Sequence, residues 1–103
     1  MRIKTTEEFD KAYEFIFTCS QDFYSQSILK GLRNSLKNKL KILNNNPLIG
    51  GIEPSLENTG VEFRRIVIRP YFKVIYIVYD DCIYLTDIWD TRRDPSLLNK
   101  NYN

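Results

Sequence analysis

The apolar positions of this chain change period near its midpoint. In the first half they recur at three- and four-residue steps: Phe9, Ala12, Tyr13 and Ile16, then Leu29, Leu32, Leu36, Leu40 and Leu43. That spacing lines each set along one side of a helix. Thr5-Thr6-Glu7-Glu8 reads as a capping box, with Thr5 as the cap and Glu8 reaching back to it. Ser20-Gln21-Asp22 reads as a break, and a second, longer helix is expected from Tyr24 or Ser25. Asn44-Asn45-Asn46-Pro47 ends it, because Asn tolerates a left-handed cap and Pro cannot continue the ladder. Two antiparallel helices joined by a few residues are the expectation.

Leu48 to Gly60 carries Gly50, Gly51, Pro54 and Gly60, and is expected to be a loop with no regular element. Beyond it the composition shifts to Val, Ile, Tyr, Phe and Trp. Val61–Arg69, Phe72–Tyr79 and Cys82–Trp89 read as three strands of an antiparallel meander, with Asp80-Asp81 as a hairpin-sized connection. Ile3 is placed to start an edge strand. The order (β)ααβββ defines an α+β domain with a helical hairpin on one face of a small sheet. Ser96 to Leu98 is expected to form a short turn of helix, and the tail from Asn99 to be frayed.

Strand alternation sorts the side chains by face. Glu62, Arg64, Ile66 and Ile68 point one way, and Val61, Phe63, Arg65, Val67 and Arg69 the other. Phe72, Val74, Tyr76 and Val78 oppose Tyr71, Lys73, Ile75, Ile77 and Tyr79. Both faces are apolar, yet the helices cover only one. The remainder around Ile75 and Ile77 is therefore expected to be exposed and to attract a second protein.

The 103 residues, 43% hydrophobic and 27% charged, fit one globular domain spanning the whole chain. No apolar run approaches the ~20 residues of a spanning helix. The segment Met1 to Lys11 lacks the apolar core of a signal peptide, so a cytoplasmic, non-membrane protein is expected. Cys19 and Cys82 make neither a disulfide framework nor a metal pattern, and no cofactor or metal is expected. The chain has no histidine, which excludes a Ser-His-Asp triad or a Cys-His pair within it.

Charge is unevenly placed. No acidic residue lies between Asp22 and Glu53, where Lys30, Arg33, Lys37, Lys39 and Lys41 fall. On a helix, Lys30, Arg33, Lys37 and Lys41 form a basic stripe beside the leucines, either a solvated face or a site for an acidic partner. Arg64, Arg65, Arg69 and Lys73 interrupt the strand pattern. Arg92 and Arg93 follow the last strand, where a guanidinium can bind phosphate or carboxylate in bidentate fashion. The alternative is that they pair with Asp90 and Asp94 and tie down the C-terminus.

Taken in order, these pieces resemble the RelE/ParE superfamily of toxins from bacterial type II toxin–antitoxin modules. The resemblance runs through Leu43-Asn44-Asn45-Asn46-Pro47 with Gly50, and Phe63-Arg64-Arg65-Ile66. It continues through Tyr71 to Val78, Ile83-Tyr84-Leu85, and Trp89-Asp90-Thr91-Arg92-Arg93-Asp94-Pro95. It implies a growth-inhibiting toxin, known also from plasmid-stabilising modules and neutralised by a cognate antitoxin. RelE-like members cleave messenger RNA on the ribosome with basic residues, and ParE-like members inhibit DNA gyrase.

Carried over by position, the resemblance puts Arg64, Lys73 and Arg92 in the catalytic roles of a ribonuclease. Arg65, Arg69, Arg92 and Arg93 would be the target-binding residues of a gyrase inhibitor. Lys30, Arg33, Lys37, Lys41, Ile75 and Ile77 would meet the antitoxin. Two departures count against the ribonuclease. Arg is a poor general base, with a pKa above ~12. The family's C-terminal Tyr falls near Leu97 or Leu98, with Tyr102 a distant substitute. Those departures and the Arg92-Arg93-Asp94-Pro95 ending place the expectation on the ParE-like branch. A RelE-like ribonuclease and a non-toxic partner-binding relative are the alternatives.

Overall fold

A computed structural model describes residues 1–18 and 23–92. The elements run β1 (Arg2–Thr5), α1 (Glu7–Thr18), α2 (Gln26–Asn45), β2 (Gly51–Ile52), a 3-10 segment (Pro54–Thr59), β3 (Arg64–Ile68), β4 (Phe72–Tyr79) and β5 (Cys82–Asp90). The sheet order is β1-β5-β4-β3-β2, with β1 parallel to β5 and the other neighbours antiparallel. This is the expected α+β architecture with one strand more, since β2 was not foreseen.

The cap of α1 is Thr6, one residue later than expected, because Thr5 is taken up by β1. Thr6 Oγ1 accepts from the Phe9 amide at 3.2 Å, and the Thr6 amide donates to the Leu85 carbonyl at 3.0 Å. One residue thus starts the helix and ties it to β5. Glu7, Glu8 and Asp10 occupy the first turn, where the helix dipole favours negative charge. Ser25 caps α2 by accepting from the Ile28 amide at 3.1 Å. Asn46 closes that helix at φ −145° and ψ 80°, outside the expected left-handed region.

Phe9 and Ile16 of α1 and Leu29, Leu32, Leu36 and Leu43 of α2 bury against Ile66, Ile68, Phe72, Val74, Tyr76, Ile83, Leu85 and Ile88. α1 lies chiefly over β5 and α2 over β3. Tyr71, expected on the opposite face, sits at the turn before β4 and packs with this core beside Tyr24 and Phe72. The β4–β5 turn puts Asp80 at φ 52° and Asp81 at φ 60°, a left-handed pair suited to a tight hairpin.

The second face carries its own cover. Leu56 of the 3-10 segment packs with Phe63, Ile75 and Trp89, and Ile77 lies against the group. The expectation that Ile75 is exposed is therefore corrected: it is 0% exposed. Ile77 is half-buried, and Tyr79 alone of that row is exposed. A β-bulge explains how β5 serves both layers. Ile75 pairs with Asp87 while Tyr76 pairs with Leu85, which leaves Thr86 as an extra residue. Its hydroxyl donates to the Ile75 carbonyl at 3.2 Å. The extra residue reverses the alternation, so Leu85 and Ile88 both face the helices and Trp89 joins the opposite side.

Candidate target-binding site

The cations singled out in the sequence are distributed over three places. Arg64 works at the β2 end of the sheet. Its Nη1 donates to the Gly50 carbonyl at 2.7 Å and to the Leu48 carbonyl at 3.4 Å, and its Nη2 pairs with Glu62. The same loop is held from below by Tyr76, whose hydroxyl accepts from the Gly50 amide at 3.0 Å and donates to the Pro47 carbonyl at 2.8 Å. Arg65, on the opposite face, donates to the Ile52 carbonyl at 2.7 Å. Both arginines fasten the chain between α2 and β3.

Lys73 lies on the second face. Its Nζ meets Glu53 Oε1 at 2.6 Å, with the two side chains 12% and 1% exposed. Burial alone would raise the Glu53 carboxyl, but hydrogen bonds from Lys73 and from Ser55 outweigh it and hold the group below the usual range. Glu53 precedes the 3-10 segment and receives the Ser55 amide at 3.0 Å, so the pair anchors the cover of the second face.

Arg92 stands at the end of β5. Its Nε donates to Asp90 Oδ1 at 3.0 Å and its Nη2 to Asp90 Oδ2 at 2.7 Å. Its backbone amide also donates to Oδ1, at 2.9 Å. Tyr24, at the entry to α2, donates its hydroxyl to Asp90 Oδ2 at 2.7 Å. The guanidinium carbon lies 3.7 Å from the Tyr71 ring centroid and 6.0 Å from that of Tyr24. The Arg92 side chain is 57% exposed and Asp90 only 8%.

The electrostatics follow from that geometry. Burial, then the hydrogen bond to Asp90, push the Tyr24 phenol up to about 12. Burial would raise Asp90, but its bonds from Arg92 and Tyr24 prevail and hold it below the ordinary carboxylate value. The Asp90 hydrogen bond in turn raises Arg92, so the guanidinium stays charged throughout.

The structure therefore does not bring Arg64, Lys73 and Arg92 together. Arg64 pairs with Tyr76 in register, four residues along β4 from Phe72, which pairs with Asp90. At ~3.3 Å per residue those positions are roughly 13 Å apart along the strand. Lys73 faces the other side of the sheet. Arg69 is exposed in the β3–β4 turn. Arg93, Asp94, Leu97, Leu98 and Tyr102 lie outside the described residues. Lys30, Arg33, Lys37 and Lys41 are exposed along α2, with Arg33 4.9 Å from the Phe17 ring centroid of α1. Of the two readings of Arg92, pairing with Asp90 is what the structure contains. Tyr24 and Glu53, missed in the sequence, carry no spacing signal, because each acts on a strand distant in the chain.

Among the described residues no cluster of three or more His, Cys, Asp or Glu is placed to hold a metal ion. No described helix is long and apolar enough to cross a membrane.

No protein-family model matches the chain, and no curated protein matches it in sequence. Solved structures do match in fold. A chain of the chromosomal ParDE toxin–antitoxin system from P. aeruginosa superposes with a TM-score of 0.63 at 16% identity, covering 85% of this chain and 92% of that one. YafQ in the E. coli DinJ–YafQ complex superposes with a TM-score of 0.59 at 20% identity, covering 89% of this chain and 96% of that one. A copper-bound mutant toxin from Helicobacter pylori gives 0.58 at 16% identity, with coverage of 89% and 96%. The arrangement of two helices on a five-stranded, mostly antiparallel sheet is the RelE/ParE-like toxin fold.

Proposed function

We propose that this chain is the toxin of a type II toxin–antitoxin module, acting in the cytoplasm by binding DNA gyrase and neutralised by a cognate antitoxin. The fold supports the toxin class. The observation that favours binding over RNA cleavage is the state of the three candidate catalytic cations. Arg64 is committed to loop carbonyls, Lys73 to Glu53 and Arg92 to Asp90, on two faces of the sheet. Metal-free cleavage needs cations gathered on one phosphate, where charge develops. Target contact is assigned to the exposed cations at the end of the sheet, Arg69 and Arg92, and to Arg93, next to Arg92 in sequence. Arg65, half-buried and bonded to Ile52, is the weakest member of that set. The exposed basic face of α2, Lys30, Arg33, Lys37 and Lys41, is assigned to an acidic stretch of the antitoxin, and half-buried Ile77, on the opposite face of the sheet, to a separate contact with it.

Controlled expression in bacteria tests the reading. Growth arrest with loss of supercoiling by purified gyrase supports it. Arrest with translation-coupled mRNA cleavage and intact supercoiling replaces it by the ribonuclease, and absence of arrest by a partner-binding relative.

A further inference from the structure

More than half of the Arg92 side chain is exposed, yet the donors on one edge of its guanidinium are already engaged. The Nε–Nη2 edge, one of the two that can grip a phosphate or carboxylate in bidentate fashion, is spent on Asp90. One side of the guanidinium plane is stacked on Tyr71. What remains is the Nη1–Nη2 end, with three N–H donors, and the outer side of the plane. The Arg92–Asp90 pair is neutral overall, and the Tyr24 and Tyr71 rings lie beside it, 6.2 Å apart. A neutral, flat and partly aromatic surface suits a planar group better than an anion.

The surface is also held still. Asp90 closes β5, with a carboxylate that receives Arg92 twice through its side chain and once through its backbone. Tyr24 joins from 66 residues away and fixes the remaining freedom of Oδ2. A loose arginine loses rotamer entropy when it binds, whereas one already immobilised does not. We propose that Asp90 and Tyr24 are positioning residues that fix Arg92 as a stacking contact for an aromatic side chain of a protein target. The inference rests on the target-binding reading above.

The test uses the full chain with immobilised gyrase, together with growth arrest on induction, for the wild type, Tyr24→Phe, Arg92→Ala, Arg92→Lys and the Tyr24→Phe/Arg92→Ala double variant. Thermal melts accompany each. Tyr24→Phe is expected to weaken binding roughly tenfold in the wild-type background and to have no effect once Arg92 is Ala. Arg92→Lys, which keeps the charge and loses the plane, is expected to bind no better than Arg92→Ala. Equal effects of Tyr24→Phe in both backgrounds, or rescue by Arg92→Lys, overturn the proposal. So does tight, steeply salt-dependent binding of single-stranded nucleic acid by this surface.

If Tyr24→Phe unfolds, Asp90→Asn takes its place in the same cycle. A wild type that arrests growth without touching gyrase removes the gyrase reading alone, and the growth-arrest series still decides the positioning claim. A wild type that does neither removes the target reading. Exchange of the Arg92 Nε–H, followed by NMR, then decides whether Tyr24 holds it: slow in the wild type and fast in Tyr24→Phe supports the claim, and equal rates refute it.

Discussion

Lys73 Nζ lies 2.6 Å from Glu53 Oε1, and this contact joins the middle of the sheet to the segment that covers its second face. Glu53 is fixed from three directions: by Lys73, by the Ser55 amide at 3.0 Å, and by its own amide donating to the Phe63 carbonyl at 2.8 Å. Leu56, three residues on, closes over Ile75 and Trp89. A cation that resembles a phosphate ligand by sequence position is therefore used to hold the fold.

Glu53→Ala is expected to destabilise the domain by about 3–5 kcal/mol, because it strands a buried ammonium without its partner. Glu53→Leu combined with Lys73→Met should recover most of that loss. Chemical denaturation checks both, and a mild effect of the single variant would show that Lys73 escapes to water. The pH dependence carries the same sign. The folded Glu53 carboxyl is held below its ordinary value. Its contribution is complete above the unfolded pKa of about 4.3 and is lost as pH falls through the lower folded value. Glu53→Gln should flatten that acid limb.

The strands β4 and β5 were legible to within a residue because their apolar runs are bounded by Pro70, Asp80-Asp81 and Asp94-Pro95. The cover of the second face was not legible. It depends on the single residue Leu56, inside a polar stretch whose Gly and Pro spacing has no helical or strand period. The phase reversal at Thr86 was equally hidden, since a bulge leaves the residue types unchanged and alters only their facing. Alternation sorted Arg64 and Lys73 within their own strands, but only the β3–β4 register puts them on opposite faces. What it lacked was the partners: Gly50 and Glu53 are joined to these cations by tertiary contacts alone, whereas Asp90, two residues before Arg92, was open to view.

Gly50 admits no side chain. A Cβ built there would lie 2.4 Å from the Arg65 carbonyl oxygen and 2.6 Å from the Tyr76 hydroxyl. Gly50→Ala must therefore push the loop off β3 and break the Tyr76 hydrogen bonds. A loss of about 1–3 kcal/mol is expected from overpacking alone. Tyr76→Phe, which keeps the ring and removes only the hydroxyl, should cost about 1–3 kcal/mol by leaving the Gly50 amide unpaired. A Gly50→Ala variant as stable as the wild type would mean that this loop is held elsewhere.

Leu36 sits midway along the buried side of α2, in one cluster with sheet residues of β3, β4 and β5. Leu36→Ala is expected to cost roughly 2–5 kcal/mol as a core truncation. The exposed Lys37 beside it serves as a control, since surface changes usually stay within about 0.5 kcal/mol. Thermal melts that fail to separate the two variants would place the leucine stripe in solvent.

Tyr24 should titrate late. Burial and the hydrogen bond to Asp90 carry its phenol to about 12, so the folded state favours the neutral form well above the ordinary value near 10. A raised folded pKa gives stability that is complete below the unfolded value and is lost as pH rises from there through the folded one. The domain should accordingly lose stability between about pH 10 and 12. Tyr24→Phe should flatten that part of the alkaline limb. The phenolate absorbance difference between wild type and Tyr24→Phe isolates this ring from Tyr76, which burial also raises. Asp90→Asn, by removing the carboxylate charge, should bring Tyr24 down towards 10. Arg92→Ala should move it further up, because the guanidinium favours the phenolate. A Tyr24 that titrates near 10 in the wild type would mean that the Tyr24–Asp90–Arg92 chain is open in solution.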